Sequence, residues 1–174
     1  QYASDKGIIV LIAAGNEGDD VWKRVVSPAD NPSVFTIGAN TNSGTPSSFS
    51  SYGPNATGHQ KPDASARGTA TYYAYNNGSS SGNGTSYSTP LAAGGVACLL
   101  QALGSTTDRE SIKNRLRETA SLYPSYNEQI GNGILNFYNA YEQLTLSPSN
   151  KSLEKNIKIY PNPAKSFFKI TIYS

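Results

Sequence analysis

The first apolar stretch of the chain is a β-branched run from Gly7 to Ala14, GIIVLIAA. A continuous run of this kind, without polar alternation, is typical of a strand buried on both faces of a parallel sheet. The loop that follows, AAGNEGDD, would lie at the carboxyl end of the strand, where open α/β sheets place their ligands. A second strand is predicted at Ser33 to Ala39, after a turn marked by proline.

Helical patterns dominate the second half of the chain. We expect a helix from about Ser86 to Leu103, with Pro90 in its first turn, where a missing N–H costs little. Further helices are predicted at about Asp108 to Ala120 and at about Phe137 to Leu144. Between the second strand and the first helix, residues 40–84 are rich in Ser, Gly, Asn and Thr. TATYYAYNNG is the clearest strand-and-turn candidate there, and its tyrosines either line a cleft or simply pack.

The C-terminal end of the chain has a different pattern. Residues 147–152, SPSNKS, are typical of a linker, and residues 153–174 contain two alternating strand-like pieces separated by PNP. We therefore predict three parts: a domain over residues 1–146, a linker over 147–152 and a short β-rich segment over 153–174.

Composition narrows the possible functions. The 174 residues suffice for one domain with a sizeable core. The formal charge of +2 is spread without blocks, so nothing indicates a nucleic acid or an acidic membrane surface as a partner. One cysteine and one histidine exclude an internal disulfide and leave too few ligands for structural zinc. No apolar run reaches the roughly 18 residues of a membrane span.

The polar start, QYASDKG, reads as the end of a surface helix, so we expect the chain to begin within a domain.

Two stretches are candidates for catalytic chemistry. In GTSYSTP, Ser86 lies at the mouth of a predicted helix, where N–H groups and the helix dipole favour negative charge on an attacked carbonyl oxygen. In AAGNEG, Asn16 follows a buried strand, and its amide could complete an oxyanion hole with the backbone N–H of the serine. Each stretch alone also fits an ordinary alternative: a helix cap for Ser86, and a left-handed turn for Asn16.

Taken together, the blocks AAGNEG, SPADNPSVFTIGA, SSFSSYGP, KPD and GTSYSTPLAAG resemble the C-terminal half of the subtilase (subtilisin-like) serine protease family, over roughly residues 7 to 142. The resemblance implies an α/β fold with a mostly parallel sheet flanked by helices. It also implies peptide-bond hydrolysis through an acyl-enzyme, with Ser86 as nucleophile and Asn16 in the oxyanion hole. No cofactor is required for that chemistry. Calcium often stabilises the family, but no ligand cluster for it is evident in this sequence.

The resemblance also indicates what is missing or altered. The family's catalytic Asp and His motifs would precede everything present, so the chain alone is expected to be inactive. His59 lies in a polar loop and is not expected to replace that base. After KPD, this chain has ASARG, with Arg67 before Gly68, which departs from the family pattern near the substrate cleft. A non-catalytic surface or binding protein that retains the fold is the alternative function.

The resemblance further implies a primary substrate pocket. Its wall would be formed by Ala13, Ala14 and Gly15, and Val26 would lie near its floor. None of these residues carries a charge, so medium apolar side chains such as Leu, Met or Ala should be preferred to charged ones.

The terminal segment IKIYPNPAKSFFKITI resembles the start of the sorting domain that the type IX secretion system of some Gram-negative bacteria recognises. This implies a protein exported to the cell surface or secreted, with that secretion machinery as a partner. A stray β-hairpin is the alternative interpretation.

Overall fold

The computed structural model describes residues 2–104 and 107–146, and the backbone of residues 157–160 and 169–172. It divides the chain into two units, Gln1–Leu144 and Thr145–Ser174. The predicted linker over residues 147–152 lies outside the described residues.

The first unit is built on a parallel sheet of three strands in the order β1-β2-β3. These strands are β1 (Leu11–Ala13), β2 (Phe35–Asn40) and β3 (Ala64–Arg67). β2 is central and every one of its residues is buried. In contrast, β1 pairs only with β2 in the described part of the chain, and its residues are half-buried. The predicted strand from Gly7 to Ala14 is observed in the described residues only over Leu11–Ala13, where the side chains are half-buried, and Ile8 before it is 57% exposed.

Four helices accompany this sheet in the described ranges, and all but the first contribute buried residues to its core. They are α1 (Tyr2–Asp5), α2 (Thr85–Leu103), α3 (Arg109–Glu118) and α4 (Phe137–Leu146). α2 contacts all three strands of the parallel sheet, and its Ala92, Val96 and Leu99 side chains are buried at helical spacing. The same core contains Ile112 and Leu116 of α3. The sheet and its helices thus confirm the expected subtilisin-like α/β architecture.

Pro90 lies deeper in its helix than the sequence indicated. α2 begins at Thr85, so Pro90 is the sixth helical residue and falls in the second turn rather than the first. A proline has no N–H to donate to the carbonyl four residues earlier. The Ser86 carbonyl therefore lacks the N–H donor that it would normally have within a helix. This carbonyl belongs to the candidate nucleophile residue itself.

A buried ionic network joins the sheet to α3. The Lys61 ammonium is buried and donates hydrogen bonds to the Val34 carbonyl (2.6 Å) and to Asp63 Oδ2 (2.7 Å). The other carboxylate oxygen, Asp63 Oδ1, accepts a hydrogen bond from Arg117 Nε at 2.7 Å. Burial lowers the pKa of Lys61, and the neighbouring Asp63 carboxylate opposes this shift. Lys61 and Arg117 therefore share the buried Asp63 carboxylate as their anionic partner.

Two antiparallel hairpins complete the described chain. β4 (Thr71–Tyr75) and β5 (Gly78–Gly82) pair between β3 and α2. In the second unit, β6 (Ile157–Tyr160) pairs with β7 (Lys169–Ile172), with Ile157 opposite Ile172. These two strands occupy the alternating segments on either side of PNP. No helix in the described ranges has the length and apolar character needed to cross a bilayer.

Candidate active site

Asn16 is positioned by a glycine turn at the end of β1. Gly15 has φ +107°, a left-handed conformation that favours glycine. A Cβ at this position would lie 2.3 Å from Glu17 Oε2 and 2.7 Å from Ser51 Oγ, so a side chain there would displace the hydrogen bond between these two groups. The turn brings the chain out of the sheet and leaves Asn16 exposed at its carboxyl edge.

Ser86 is the second residue of α2 and is exposed. The N-cap is Gly84, which has no side chain to cap the helix, so the alternative interpretation of Ser86 as the cap does not hold. The nearby Ser88 and Thr89 hydroxyls both donate to the Thr85 carbonyl, at 2.9 and 2.8 Å. Within the described residues, no group forms a hydrogen bond with the Ser86 hydroxyl, which leaves it available to a ligand.

Thr85 joins the two candidate residues, although its sequence context does not single it out. Its backbone N–H donates to Asn16 Oδ1 at 2.9 Å, and its buried hydroxyl lies 3.1 Å from the same oxygen. The hydroxyl also accepts a hydrogen bond from Gly15 N at 3.2 Å. A backbone N–H can only donate, so the Asn16 atom facing it must be the amide oxygen. The Asn16 amide nitrogen is thereby turned away from Thr85.

The first turn of α2 supplies a second N–H donor. The Thr85 N–H is bound to Asn16, and the Tyr87 N–H donates to the Gly84 carbonyl at 3.1 Å. The Ser86 N–H has no acceptor among the residues that the structure describes. Free N–H groups at a helix N-terminus favour bound negative charge. The site thus offers two donors, Ser86 N–H and Asn16 Nδ2, beside an exposed hydroxyl, as serine hydrolases use to stabilise an oxyanion.

The residues predicted to line the substrate pocket differ in their exposure. Ala13 ends β1 and is half-buried, and Ala14 is fully buried in a small cluster with Val25 and Ala29. Val26 is 40% exposed, whereas its neighbour Val25 is buried.

Glu17 is a charged residue at the site that sequence reasoning overlooked. Its carboxylate accepts a hydrogen bond from the buried Ser51 hydroxyl at 2.6 Å, and it lies against Gly15. Its position directly after Asn16 in the sequence could have marked it as a residue of the site.

His59 is part of a separate loop. Its Nδ1 lies 2.9 Å from the Thr57 hydroxyl, and its backbone N–H donates to Asn55 Oδ1 at 2.8 Å. No hydrogen bond connects it to Ser86 in the described structure. Nor do the described residues include a group of three or more His, Cys, Asp or Glu side chains that could hold a metal ion.

The geometry places an exposed serine hydroxyl and two N–H donors at the carboxyl edge of an α/β sheet. The chain belongs to the subtilase family, whose family model matches residues 1–133. It is 36% identical over 138 residues to subtilisin amylosacchariticus of Bacillus subtilis subsp. amylosacchariticus, a match that covers 77% of this chain and 34% of the relative. It is also 38% identical over 104 residues to the subtilisin-like serine protease Pen ch 13 of Penicillium rubens, covering 59% and 24%.

Solved structures show the same fold. The prenylagaramide maturation protease PagA superposes with a TM-score of 0.66 at 27% identity, covering 82% of this chain and 52% of that chain. The PatG macrocyclase in complex with peptide superposes with a TM-score of 0.68 at 24% identity, covering 82% and 44%. This chain spans about a third of the length of the subtilisin relatives and about half of the PagA structure.

Proposed function

We propose that this chain is the nucleophile-bearing part of a longer subtilisin-like serine endopeptidase. One observation carries the proposal: Thr85 N–H holds the Asn16 amide by its oxygen, beside the exposed Ser86 hydroxyl. The amide nitrogen and the Ser86 N–H then remain as donors for an oxyanion. Family membership supports the same reaction class.

In the proposed reaction, Ser86 Oγ attacks the carbonyl carbon of a peptide bond, and a histidine supplied by the rest of the protein takes its proton. The carbonyl oxygen becomes an oxyanion, which Asn16 Nδ2 and the Ser86 N–H stabilise. The histidine returns the proton to the leaving amine, and water hydrolyses the resulting ester. This chemistry requires no cofactor. Without the histidine, the Ser86 hydroxyl is not activated, so the 174-residue chain is inactive by itself.

Peptide hydrolysis by the full-length protein tests the proposal. Ser86→Ala should abolish cleavage of a casein-derived peptide mixture, whereas Ser125→Ala, a change at an exposed serine elsewhere, should leave it intact. Undiminished cleavage by the Ser86→Ala variant would overturn the assignment. A wild-type protein that binds these peptides without cleaving them would instead favour a non-catalytic binding protein with the subtilase fold.

We further propose that the enzyme prefers medium apolar residues on the acyl side of the cleaved bond. Of the residues predicted for the pocket, the partly exposed Ala13, Gly15 and Val26 would line it, with the fully buried Ala14 behind them, and none can compensate a buried charge. Glu17 lies at its edge, so Lys and Arg should be tolerated better than Asp and Glu. Cleavage profiling on a peptide library should show Leu, Met or Ala as the leading residues. A dominant preference for Arg or Lys would contradict this pocket assignment.

We also propose export through the type IX secretion machinery to the cell surface or medium of a Gram-negative bacterium. The support is the resemblance of residues 153–174 to the start of a sorting domain. Removing the sequence from residue 153 onward should retain the protein inside the cells of its native host. Unchanged export of the truncated protein would refute the proposal.

A further inference from the structure

A serine on a distant loop holds the backbone of the turn that carries Asn16. We refer to residues 15–18 as the Asn16 turn. Ser51 contacts this turn on both sides of Asn16. Its N–H donates to the Gly15 carbonyl at 3.1 Å, and its Oγ accepts a hydrogen bond from the Glu17 N–H at 3.1 Å. One residue therefore fixes the chain before and after the amide donor.

The polar contacts of the Ser51 hydroxyl in the described part of the chain all go to Glu17. Its oxygen accepts from the Glu17 N–H, while its hydrogen is donated to Glu17 Oε2 at 2.6 Å. A serine hydroxyl has a single hydrogen to donate, so the two contacts use it as donor and as acceptor. Ser51 is fully buried, which protects both hydrogen bonds from competition with water.

Close packing keeps the Asn16 turn against the segment that carries Ser51. The Gly18 N–H donates to the Phe49 carbonyl at 2.8 Å. A Cβ at Gly18 would lie 2.4 Å from the Ser48 carbonyl oxygen, a backbone atom, so the approach requires glycine. The turn and the segment before Ser51 are thus in direct backbone contact, and the Ser51 hydroxyl adds the links next to Asn16.

The Asn16 turn needs such support because one of its residues restricts the chain very little. Gly15 has φ +107° and no side chain that would limit its conformation. The Thr85 N–H holds the Asn16 amide only by its oxygen. The position of the amide nitrogen also depends on the Asn16 backbone, to which it is joined by a short side chain. An oxyanion donor is effective only where it already lies at the place of the developing charge.

We propose that Ser51 is a positioning residue for the oxyanion donor. Its hydroxyl holds the Glu17 backbone and, through it, keeps the Asn16 amide nitrogen where the oxyanion forms. The inference rests on the proposed function, because the oxyanion belongs to that reaction. Ser51 is buried and acts through Asn16. Support for a group that acts in the transition state changes kcat rather than KM.

The test is a double-mutant cycle in the full-length protein. Steady-state kinetics on one peptide substrate give kcat and KM for wild type, Ser51→Ala, Asn16→Ala and the double variant. Ser51→Ala should lower kcat about tenfold with KM nearly unchanged, which corresponds to the loss of about one hydrogen bond in the transition state. In the Asn16→Ala background, Ser51→Ala should cause no further loss, because the donor that it positions is already absent.

Ser50→Ala is the matched control. Ser50 is also fully buried, but its hydroxyl accepts from the Ala39 N–H at 3.0 Å and donates to the Gln129 carbonyl at 3.2 Å. Ser50→Ala should lower the urea concentration at half-unfolding and leave kcat unchanged. Ser51→Cys keeps nearly the size of serine with a weaker hydrogen-bonding group, so it should lower kcat as Ser51→Ala does. It provides the measurement if Ser51→Ala does not fold.

The outcomes separate this inference from the proposed function. Unchanged kcat in folded Ser51→Ala, or in Ser51→Cys, would overturn the inference alone. A tenfold loss that persists in the Asn16→Ala background would also overturn it, because the effect would not pass through Asn16. The same loss of kcat in Ser50→Ala would show general loosening of this segment and would overturn it too. A wild-type protein that does not cleave the peptide would overturn the proposed function and the inference with it.

Discussion

At the residue scale, the orientation of one amide decides what the site can do. Thr85 follows Asn16 by 69 residues, yet its backbone N–H meets the Asn16 side-chain oxygen at 2.9 Å. Thr85 is buried, so its hydrogen bonds to Gly15 and Asn16 are protected from competition with water. The donor end of the Asn16 amide is thus preorganised, so little reorganisation is needed when an oxyanion forms.

We therefore predict that Asn16→Ala in the full-length protein lowers kcat by about 10² to 10³-fold with KM nearly unchanged. This magnitude is the one known for loss of the corresponding kind of donor in subtilisin, a member of the same family. Steady-state kinetics on a single peptide substrate provide the measurement, with the exposed Asn77→Ala as control. A large rise in KM at unaltered kcat would show that Asn16 binds the ground state instead.

The sequence identified Asn16 and Ser86 as candidates through their neighbours, a glycine turn after an apolar strand and a helix start. It did not reveal Thr85 or Glu17, because their roles depend on contacts with Asn16 and Ser51 across distant parts of the chain. Residue type and local pattern were sufficient only to nominate Asn16 and Ser86 as candidates. The direction in which each polar group points required the tertiary structure.

At the element scale, two adjacent glycines of α2 have opposite surroundings. A Cβ at Gly95 would lie 2.3 Å from the Phe137 ring, so this glycine allows α4 to approach α2 closely. A Cβ at Gly94 would meet nothing within 4 Å. The apolar pattern predicted a helix close to the observed Thr85–Leu103 but could not distinguish these two positions. Likewise, an apolar run alone could not predict how far β1 is buried, because burial depends on which strands lie beside it.

Gly94 and Gly95 provide a matched test of how α2 packs against α4. Gly94→Ala should raise the free energy of unfolding by about 0.5–1 kcal/mol, because alanine has the higher helix propensity and meets no obstacle. Gly95→Ala should lower it by about 1–3 kcal/mol through overpacking against Phe137. Urea denaturation followed by circular dichroism measures both changes. Stabilisation by both substitutions would show that α4 does not pack against α2 as described.

At the scale of the whole molecule, the buried Lys61–Asp63–Arg117 network holds the sheet and α3 together. The KPD block could be matched to a family from sequence, but its physical role could not, because a buried lysine is the exception among lysines. Removing Asp63 would leave two cations without their common partner.

We predict that Asp63→Ala lowers the free energy of unfolding by about 3–5 kcal/mol. Glu118→Ala, which breaks the partly exposed Arg115–Glu118 pair on α3, should cost no more than about 1 kcal/mol. Burial lowers the folded-state pKa of Lys61 below 10.5, so in the window beneath that value the native protein binds fewer protons than the unfolded chain. Asp63→Ala removes the carboxylate that opposes this shift, so the pKa of Lys61 falls further in the variant than in the wild type. Lys61 then loses its unpaired charge first in the variant, and the Asp63→Ala defect should shrink as the pH rises toward 10.5. Equal losses in the two variants would contradict the network's role.

In the whole molecule, the proposed reaction depends on one atom, the Ser86 hydroxyl oxygen. Strand, turn and helix place a single exposed serine hydroxyl next to two amide donors, and a longer subtilase would complete this site with its base. Covalent labelling by a fluorophosphonate probe reports directly on an activated serine, because the probe reacts through attack by that oxygen.

The most direct measurement is therefore to label the full-length protein with a fluorophosphonate and to map the modified residue by peptide mass spectrometry. Labelling should occur at Ser86 and nowhere else at comparable rate, should slow strongly in Asn16→Ala, and should disappear in Ser86→Ala. Labelling at another serine, or the same rate in the Ser86→Ala variant, would contradict the assignment of Ser86 as the nucleophile.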